Sequence, residues 1–530
     1  MEIRYENLNR TLFLNFTQSD TEKLVNETLE LSRRHPEILD KIRADQDAHA
    51  LAKKEIRIED AKFNQARKAE HEAFLPDMRD AGIGQSESEQ ADSELVLQQG
   101  RPRLNALVVL IGIMLRGFYG SVTDRESLDR ICESSSLQIL LGNFNLRLPK
   151  RSSLSENLNC VSLRTLEYIL QMQLKDAFDL ELDDFSKATL DSTVSRADMA
   201  FSTDSRLVCE SVTSLYNTLE RLGEHRVIDF EPGQCAQRWF AQVKKKAAAI
   251  AMSPSRNPKN FKQLFRELAD SASKLTNKLQ PYVCALTEKV AKCDYDNMLA
   301  NAWRAFKKLV YYAEKSYTAA CHSIMQMTER VLGGRKLKAA EKYLGPADPD
   351  ARVIMKGTRK PILGYHPQLA RSGEGLVTYV RADHENLSDA ASLIPTLEGV
   401  IANTGVIPQS LSTDDGYSSA DNLEKAKQLG VDVVSFSGST GKKLYDEEEW
   451  ESEQLRNLRN DRSAVESLIY NLKHSYDFDR MKRTGAEAVE AEMTEKILSY
   501  NMFRIIRLRQ RKLQTEQEAQ AKPPNEKRVA

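Results

Sequence analysis

Three acidic residues stand in settings suited to metal-assisted phosphoryl transfer: Asp191 in ATLDSTV, Asp414 in LSTDDGYSS and Glu466 in RSAVESLIYNLK. The first two close short β-prone runs and the third sits on an amphipathic helical stretch. A fold that joins two strand ends to that helix brings three carboxylates together. Hard, oxygen-seeking Mg²⁺ is held by a few carboxylates plus water and phosphate oxygens. Two such ions stabilise both the attacking and the leaving oxygen of an in-line displacement.

The elements that must position these acids follow from the pattern. Residues 187–194 read as a strand holding Asp191, and 361–368 with 375–381 as a hairpin around the turn residues 371–374. A helix follows over 388–402, with Pro395 as a kink. Then come a strand over 410–414, a helix over 419–429 ending at Gly430, a strand over 431–436, and the helix 461–474 that carries Glu466. This succession of strands and helices is ribonuclease-H-like.

The same residues resemble the DDE transposases of bacterial insertion sequences, in the group whose last motif follows a Y-R-E-K pattern and which is related to the ISNCY-like elements. Arg462, Glu466 and Lys473 reproduce the spacing of the R, E and K, while Arg459 stands where the family has tyrosine. Thr413, Asp414, Asp415, Gly416 and Tyr417 resemble the family's A-D-K-G-Y element, which favours Asp414 over Asp415. LDSTV followed by FSTDSRL at 201–207 resembles the first-aspartate region and favours Asp191 over Asp204. GRPRLNALVVLIGIMLRGFYGSVTDRESLDRICESSSLQILLG and RSSLSENL resemble the family's N-terminal helical domain, where Thr123 or Asp124 would cap a helix and Ser135 begin the next, a layout compatible with a helix-turn-helix.

What the resemblance implies is an α/β, ribonuclease-H-like catalytic core with an all-helical N-terminal domain and a large helical insertion between the first and second strands. Asp191, Asp414 and Glu466 would be catalytic and would hold two Mg²⁺ ions, with Mn²⁺ as a substitute. Arg462 and Lys473 fall on approximately the same helix face as Glu466 and would contact DNA phosphates. Without DNA, Arg462 and Glu466 form an ordinary i to i+4 pair. The implied partner is double-stranded DNA, at transposon ends and target, bound by a homodimer or higher synaptic complex.

Charge is uneven along the 530 residues. Residues 1–100 carry 14 Lys and Arg against 21 Asp and Glu, a net of −7, whereas 241–342 carry 20 against 8, a net of +12, which marks the middle segment as the electrostatic candidate for DNA. Lys244, Lys245 and Lys246 lead that surplus, although Lys-rich helices also serve as solvated faces. The aromatics Trp239, Phe240, Trp303, Phe306, Tyr311 and Tyr312 recur at helical intervals there and read as core rather than base-stacking surfaces.

The expected organisation is a charged helical arm over 1–74, a flexible linker over 75–99, a helical DNA-binding domain over 100–180, a catalytic domain from 181–206 and 345–512, a basic helical insertion over 207–344, and a disordered tail over 513–530. The longest apolar run, 106–115, is too short to span a bilayer, and MEIRYENLNR is no secretory leader. These features point to a cytoplasmic bacterial protein, associated with the nucleoid when bound to DNA, and to no membrane partner.

Other constellations carry less. Seven cysteines with no CxxC pair suggest reduced, mostly buried thiols. Eight histidines include no HExxH, and His474 suits a phosphate contact or a helix surface. GSTGKK at 438–443 lacks the first-glycine spacing and following Ser or Thr of a P-loop. Arg504, Arg507, Arg509, Arg511 and Lys512 make a basic helix suited to DNA backbone or to solvent. Two further classes of function stand beside an active transposase: a catalytically silent, transposase-derived DNA-binding protein or regulator, and a chiefly structural assembly protein.

Overall fold

The computed structural model describes residues 20–51, 103–120, 122–142, 146–199, 203–224, 228–252, 258–292, 300–337, 342, 345, 348, 350–354, 361–382 and 387–521. Most of the expected arm and all of the expected linker lie outside these residues. The chain divides into two compact units, one formed by 1–45, 104–200 and 347–530, the other by 46–103 and 201–346.

The first unit is built on a five-stranded mixed sheet. Its strands are β1 (Lys187–Ser192), β5 (Gln368–Ser372), β6 (Val377–Arg381), β7 (Ser410–Thr413) and β8 (Val433–Phe436), in the order β6-β5-β1-β7-β8. β1 lies in the middle, antiparallel to β5 and parallel to β7, and β8 continues the parallel side. β2 (Ser195–Arg196), β3 (Arg352–Ile354) and β4 (Ile362–Tyr365) make a separate three-stranded sheet. The expected single strand over 361–368 is thus two strands in two sheets. The expected turn also begins too early, because Arg371 and Ser372 belong to β5, which pairs with β1 through Ser372 opposite Ala188. Ser372 Oγ donates to Asp183 at 2.5 Å and accepts from Leu376 N at 2.9 Å, so a polar residue that looks like turn chemistry is satisfied inside the sheet.

Helices make up the rest of this unit. α1 (Asp20–Arg34) buries Leu24, Val25, Leu29 and Leu31 on one face. α2 (Ala106–Phe118), capped by the Asn105 side chain, is buried along almost its whole length. Then come α3 (Asp124–Cys132), α4 (Ser135–Gly142), α5 (Arg151–Asn159) and α6 (Leu163–Asp179), with Thr123 accepting from Glu126 N at 3.3 Å as the cap of α3. These helices fall in the same compact unit as the sheet. No described helix is long and apolar enough to cross a membrane.

The second unit contains α7 (Asp204–Glu224), α8 (Gly233–Met252), α9 (Pro258–Lys292) and α10 (Ala300–Met327) around a core that includes Val212, Leu215, Leu219, Leu268, Leu275 and Leu279. Asp204, the first residue of α7, accepts from Arg330 Nη1 at 2.7 Å and Gln326 Nε2 at 3.4 Å, closing the helical bundle at one end. Phe240 stacks on Tyr216 with centroids 4.1 Å apart, and Trp239 packs against the same core. Tyr312 is exposed, contrary to its expected core role. The side chains of Trp303, Phe306 and Tyr311 lie outside the described residues.

The remaining elements of the first unit are α11 (Asp389–Thr404), which includes Pro395, α12 (Ala420–Gln428), the short helices α13 (Ser439–Lys442) and α14 (Glu447–Glu451), then α15 (Glu453–Asp461), α16 (Ser463–Ser475) and α17 (Ala486–Ala521). α17 runs on to Ala521 instead of ending near 512, so 513–521 are helix and only 522–530 of the expected tail fall outside the described residues. The described cysteines are free thiols. Cys235 and Cys284 are exposed and the others only partly covered, which corrects the expectation of mostly buried thiols.

Candidate active site

β1 and β7 run parallel with Thr189 opposite Ser412. Asp191 lies two residues further along β1, and Asp414 directly follows the last residue of β7, so each stands at the carboxyl end of one of two neighbouring central strands. Asp191 is 8 % exposed, and its Oδ1 accepts from Ser192 N at 2.8 Å. Asp414 Oδ1 caps the 3₁₀ turn Asp415–Tyr417 by accepting from Gly416 N at 2.9 Å.

Asp415 has a different task. Its oxygens accept from Gly441 N at 2.8 Å, Thr440 N at 3.2 Å and Ser418 Oγ at 3.2 Å. Burial alone would raise its pKa, but these donors outweigh it and hold the carboxyl below the usual range. The lookalike phosphate loop is therefore a short helix whose N-terminus Asp415 caps. Gly438 has φ 122°, and a Cβ there would lie 2.6 Å from Asp415 Cγ, so the contact requires glycine.

A third carboxylate borders the aspartate pair. Asp389, at the start of α11, places Oδ2 2.9 Å from where a Cβ on Gly416 would sit, with Asp414 Oδ1 at 3.1 Å from the same point. Asp389 also accepts from Gln368 Nε2 at 3.5 Å, and Gln368 Oε1 accepts from the buried Tyr417 hydroxyl at 2.5 Å. Burial first, then the charges of Asp389, Asp191 and Asp414, raise the Tyr417 pKa far above its ordinary value. Its hydroxyl stays protonated as a donor beneath the acidic edge. Nothing local in the sequence marks Asp389 except its place behind the helix cap Ser388, because its meeting with Asp414 is a tertiary event.

Glu466 arrives by helix. Asp461 pairs with Lys187, at the start of β1, at 3.5 Å, and Lys473 Nζ donates to Val194 O, beyond its end, at 2.9 Å. The end of α15 thus lies beside the start of β1, and Lys473 of α16 beside Val194, which leads into β2. Val465, Leu468 and Leu472 bury the inner stripe of the helix, and Glu466 and Lys473 flank that stripe on one side. The Glu466 carboxylate accepts from Arg462 Nη2 at 2.7 Å, and its side chain is 60 % exposed. Among the described residues, no three His, Cys, Asp or Glu side chains are drawn into a metal-holding arrangement. The charges of Asp191 and Asp414 both act on Tyr417, while Glu466 stays with Arg462. As a donor set the three fit a hard divalent cation, being carboxylate oxygens only.

The expected DNA-binding cations differ in availability. Lys244 and Lys245 are exposed, with Lys244 Nζ 4.0 Å over the Phe240 ring, whereas Lys246 pairs with Glu267. In the basic C-terminal helix, Arg509 pairs with Glu27 and Asp176, Arg511 with Glu374 and Lys512 with Glu181. The Arg509 pairs tie α17 to α1 and α6 on covered carboxylates, whereas the Arg511 and Lys512 pairs are largely exposed. Arg459, at the family's tyrosine position, lies 4.0 Å over the Trp450 ring and donates to its carbonyl at 2.8 Å.

Residues 335–502 match the family model described as "Transposase DDE domain". The matched span contains Asp414, Arg462, Glu466 and Lys473 and begins after β1, which joins it by pairing with β5 and β7. No curated protein and no solved structure matches the chain.

Proposed function

From a chain that carries a transposase DDE domain, we propose a DNA transposase that binds the terminal inverted repeats of an insertion sequence and catalyses Mg²⁺-dependent strand cleavage and strand transfer. The observation that carries the proposal is that Asp191, near the end of β1, and Asp414, just past the end of its parallel neighbour β7, both act by charge on the buried Tyr417, with Lys473 of the Glu466 helix bonded to Val194 beyond β1. The strand order β6-β5-β1-β7-β8, antiparallel on one side of β1 and parallel on the other, supports a ribonuclease-H-like core.

Asp191, Asp414 and Glu466 would hold the divalent ions, Mg²⁺ or Mn²⁺. Bound there, such ions supply Lewis acidity to the phosphate and lower the pKa of an attacking water or 3′-hydroxyl. The chain's own residues do the rest. Arg462 moves from Glu466 to a phosphate oxygen when DNA arrives, and Lys473 orients a second phosphate from the same helix side. Tyr417 and Gln368 fix the turn that aims Asp414. The exposed Lys244 and Lys245 of the helical second unit contact the DNA backbone. Two ends must be brought together, which calls for a homodimer or higher assembly.

One observation favours a second possibility, a silent transposase-derived DNA-binding protein: the Glu466 carboxylate is already neutralised by Arg462. Incubation with Mg²⁺ and the DNA flanking the gene, followed by mapping of 3′ ends, separates the two. Nicking at the element ends supports the transposase, binding without nicking supports the regulator, and absence of both overturns the proposal.

A further inference from the structure

We propose that Tyr470 and His474 form a stacking platform for an unpaired nucleobase of the DNA strand held beside Glu466, a proposal that rests on the transposase reading above. Tyr470 is 61 % exposed, and its ring stacks on His474 with centroids 3.9 Å apart and planes 22° from parallel. His474 Nδ1–H donates to the Tyr470 carbonyl at 2.8 Å, which fixes the imidazole under the phenol. One ring face of Tyr470 is thus covered and held while the rest faces solvent, so little rotamer freedom remains to be lost on binding.

Position supplies the ligand class. Arg462, Glu466, Tyr470 and His474 follow one another at four-residue intervals along α16, which places them on one stripe of the helix. All but the partly covered Arg462 are exposed. The stripe alternates charge and ring: a guanidinium, a carboxylate, then the stacked pair, with Lys473 at its flank. An apolar protein surface would cover the Arg462–Glu466 ion pair without offering it a further partner. A nucleic-acid strand offers phosphate to the cations and the flat face of a base to the phenol. Bases inside a duplex are already stacked on their neighbours, so the fitting occupant is a base freed from pairing, next to the strand that the acids would cut.

The test uses the full chain and a duplex with a short unpaired overhang carrying 2-aminopurine, drawn from the DNA flanking the gene. Wild type is expected to quench the 2-aminopurine on binding. Tyr470→Ala should bind the overhang about tenfold more weakly and leave the fluorescence unquenched, while Tyr470→Trp restores both. The salt dependence of affinity should be unchanged in Tyr470→Ala, because no phosphate contact is removed. Equal affinity and quenching in wild type and Tyr470→Ala would overturn the platform and leave the transposase reading standing. Failure of wild type to bind any DNA would overturn both. A loss of oligomeric mass in Tyr470→Ala with unchanged DNA affinity would assign the stripe to a second copy of the chain and overturn the proposal.

Discussion

Arg462 donates to the carboxylate of Glu466 at 2.7 Å, one helical turn away, so the third acid of the candidate site rests with a cation of its own helix. Glu466 is mostly exposed and Arg462 partly covered, and ion pairs near the surface contribute about 0.2–1 kcal/mol. A divalent ion competing for Glu466 must displace that cation. Arg462→Ala should therefore raise Mn²⁺ affinity of the DNA-free protein by about twofold to fivefold while weakening DNA binding. Calorimetric titration of Mn²⁺ and of DNA checks both signs, and unchanged Mn²⁺ affinity would mean that the pair does not gate the site.

Asp414 and Asp415 are adjacent in sequence and separated in task. Removing Asp415 leaves two backbone donors on α13 and the Ser418 hydroxyl without their acceptor, a loss of about 1–2 kcal/mol. Asp415→Ala should lower the thermal unfolding midpoint and keep measurable DNA cleavage. Asp414→Ala, which loses the bond from Gly416 N, should lower the midpoint less than Asp415→Ala does and cleave nothing. Calorimetry beside an end-mapping assay reads both, and the reverse pattern would exchange their roles.

Glu490 sets a pH dependence for the first unit. Its Oε2 accepts from Ala382 N at 3.0 Å. Burial, the largest influence, outweighs that bond and with the nearby charge of Glu167 pushes the carboxyl up to about 7 from an ordinary 4.5. The folded state therefore binds a proton between these values that the unfolded chain has released. Stability is fully present below about pH 4.5 and is lost as pH rises through about 7. Glu490→Gln should raise the unfolding midpoint at pH 8, by up to about 3 kcal/mol of stability, and leave it unchanged at pH 4. An equal effect at both pH values would contradict the proton linkage.

A buried ionic cluster ties α2 to α17. Arg116 contacts Glu495 at 2.6 and 2.9 Å, Arg483 joins the same carboxylate at 2.9 Å, and both Arg116 and Glu495 are almost fully covered. Glu495→Ala would strand two guanidinium groups, at a cost of about 3–5 kcal/mol. Replacing Arg116 by Met and Glu495 by Gln together should cost less than Glu495→Ala alone. Chemical denaturation of the three proteins checks the order.

The second unit should be read by salt. Lys244→Ala with Lys245→Ala is expected to weaken DNA binding and to reduce the slope of log affinity against log salt by about 2. Lys246→Ala should change the slope less, because Lys246 already pairs with Glu267. Equal slopes in all variants would remove this unit from the DNA interface.

Local signals carried much of the element pattern. Residues 187–194, 410–414 and 431–436 announce strands through short apolar runs closed by acid or glycine, and the strands observed are Lys187–Ser192, Ser410–Thr413 and Val433–Phe436. The β5 boundary was misplaced because Arg371 and Ser372 resemble turn residues. Arg371 is in fact largely covered, Ser372 is bonded to Asp183, and only the pairing with β1 reveals them as strand. The basic stripe of α17 likewise suggests DNA until its partners Glu27, Asp176, Glu374 and Glu181 are seen, all far away in sequence. Asp389 belongs to the same class, since three-dimensional neighbours give it its meaning.

The most direct measurement is Mn²⁺ binding by electron paramagnetic resonance in the presence of end DNA, on wild type and on Asp191→Asn, Asp414→Asn, Glu466→Gln and Asp415→Asn. The account predicts loss of bound Mn²⁺ in the first three variants and wild-type binding in Asp415→Asn. Wild-type binding in any of the first three, or its loss in Asp415→Asn alone, would contradict the assignment of Asp191, Asp414 and Glu466 as the metal-holding acids.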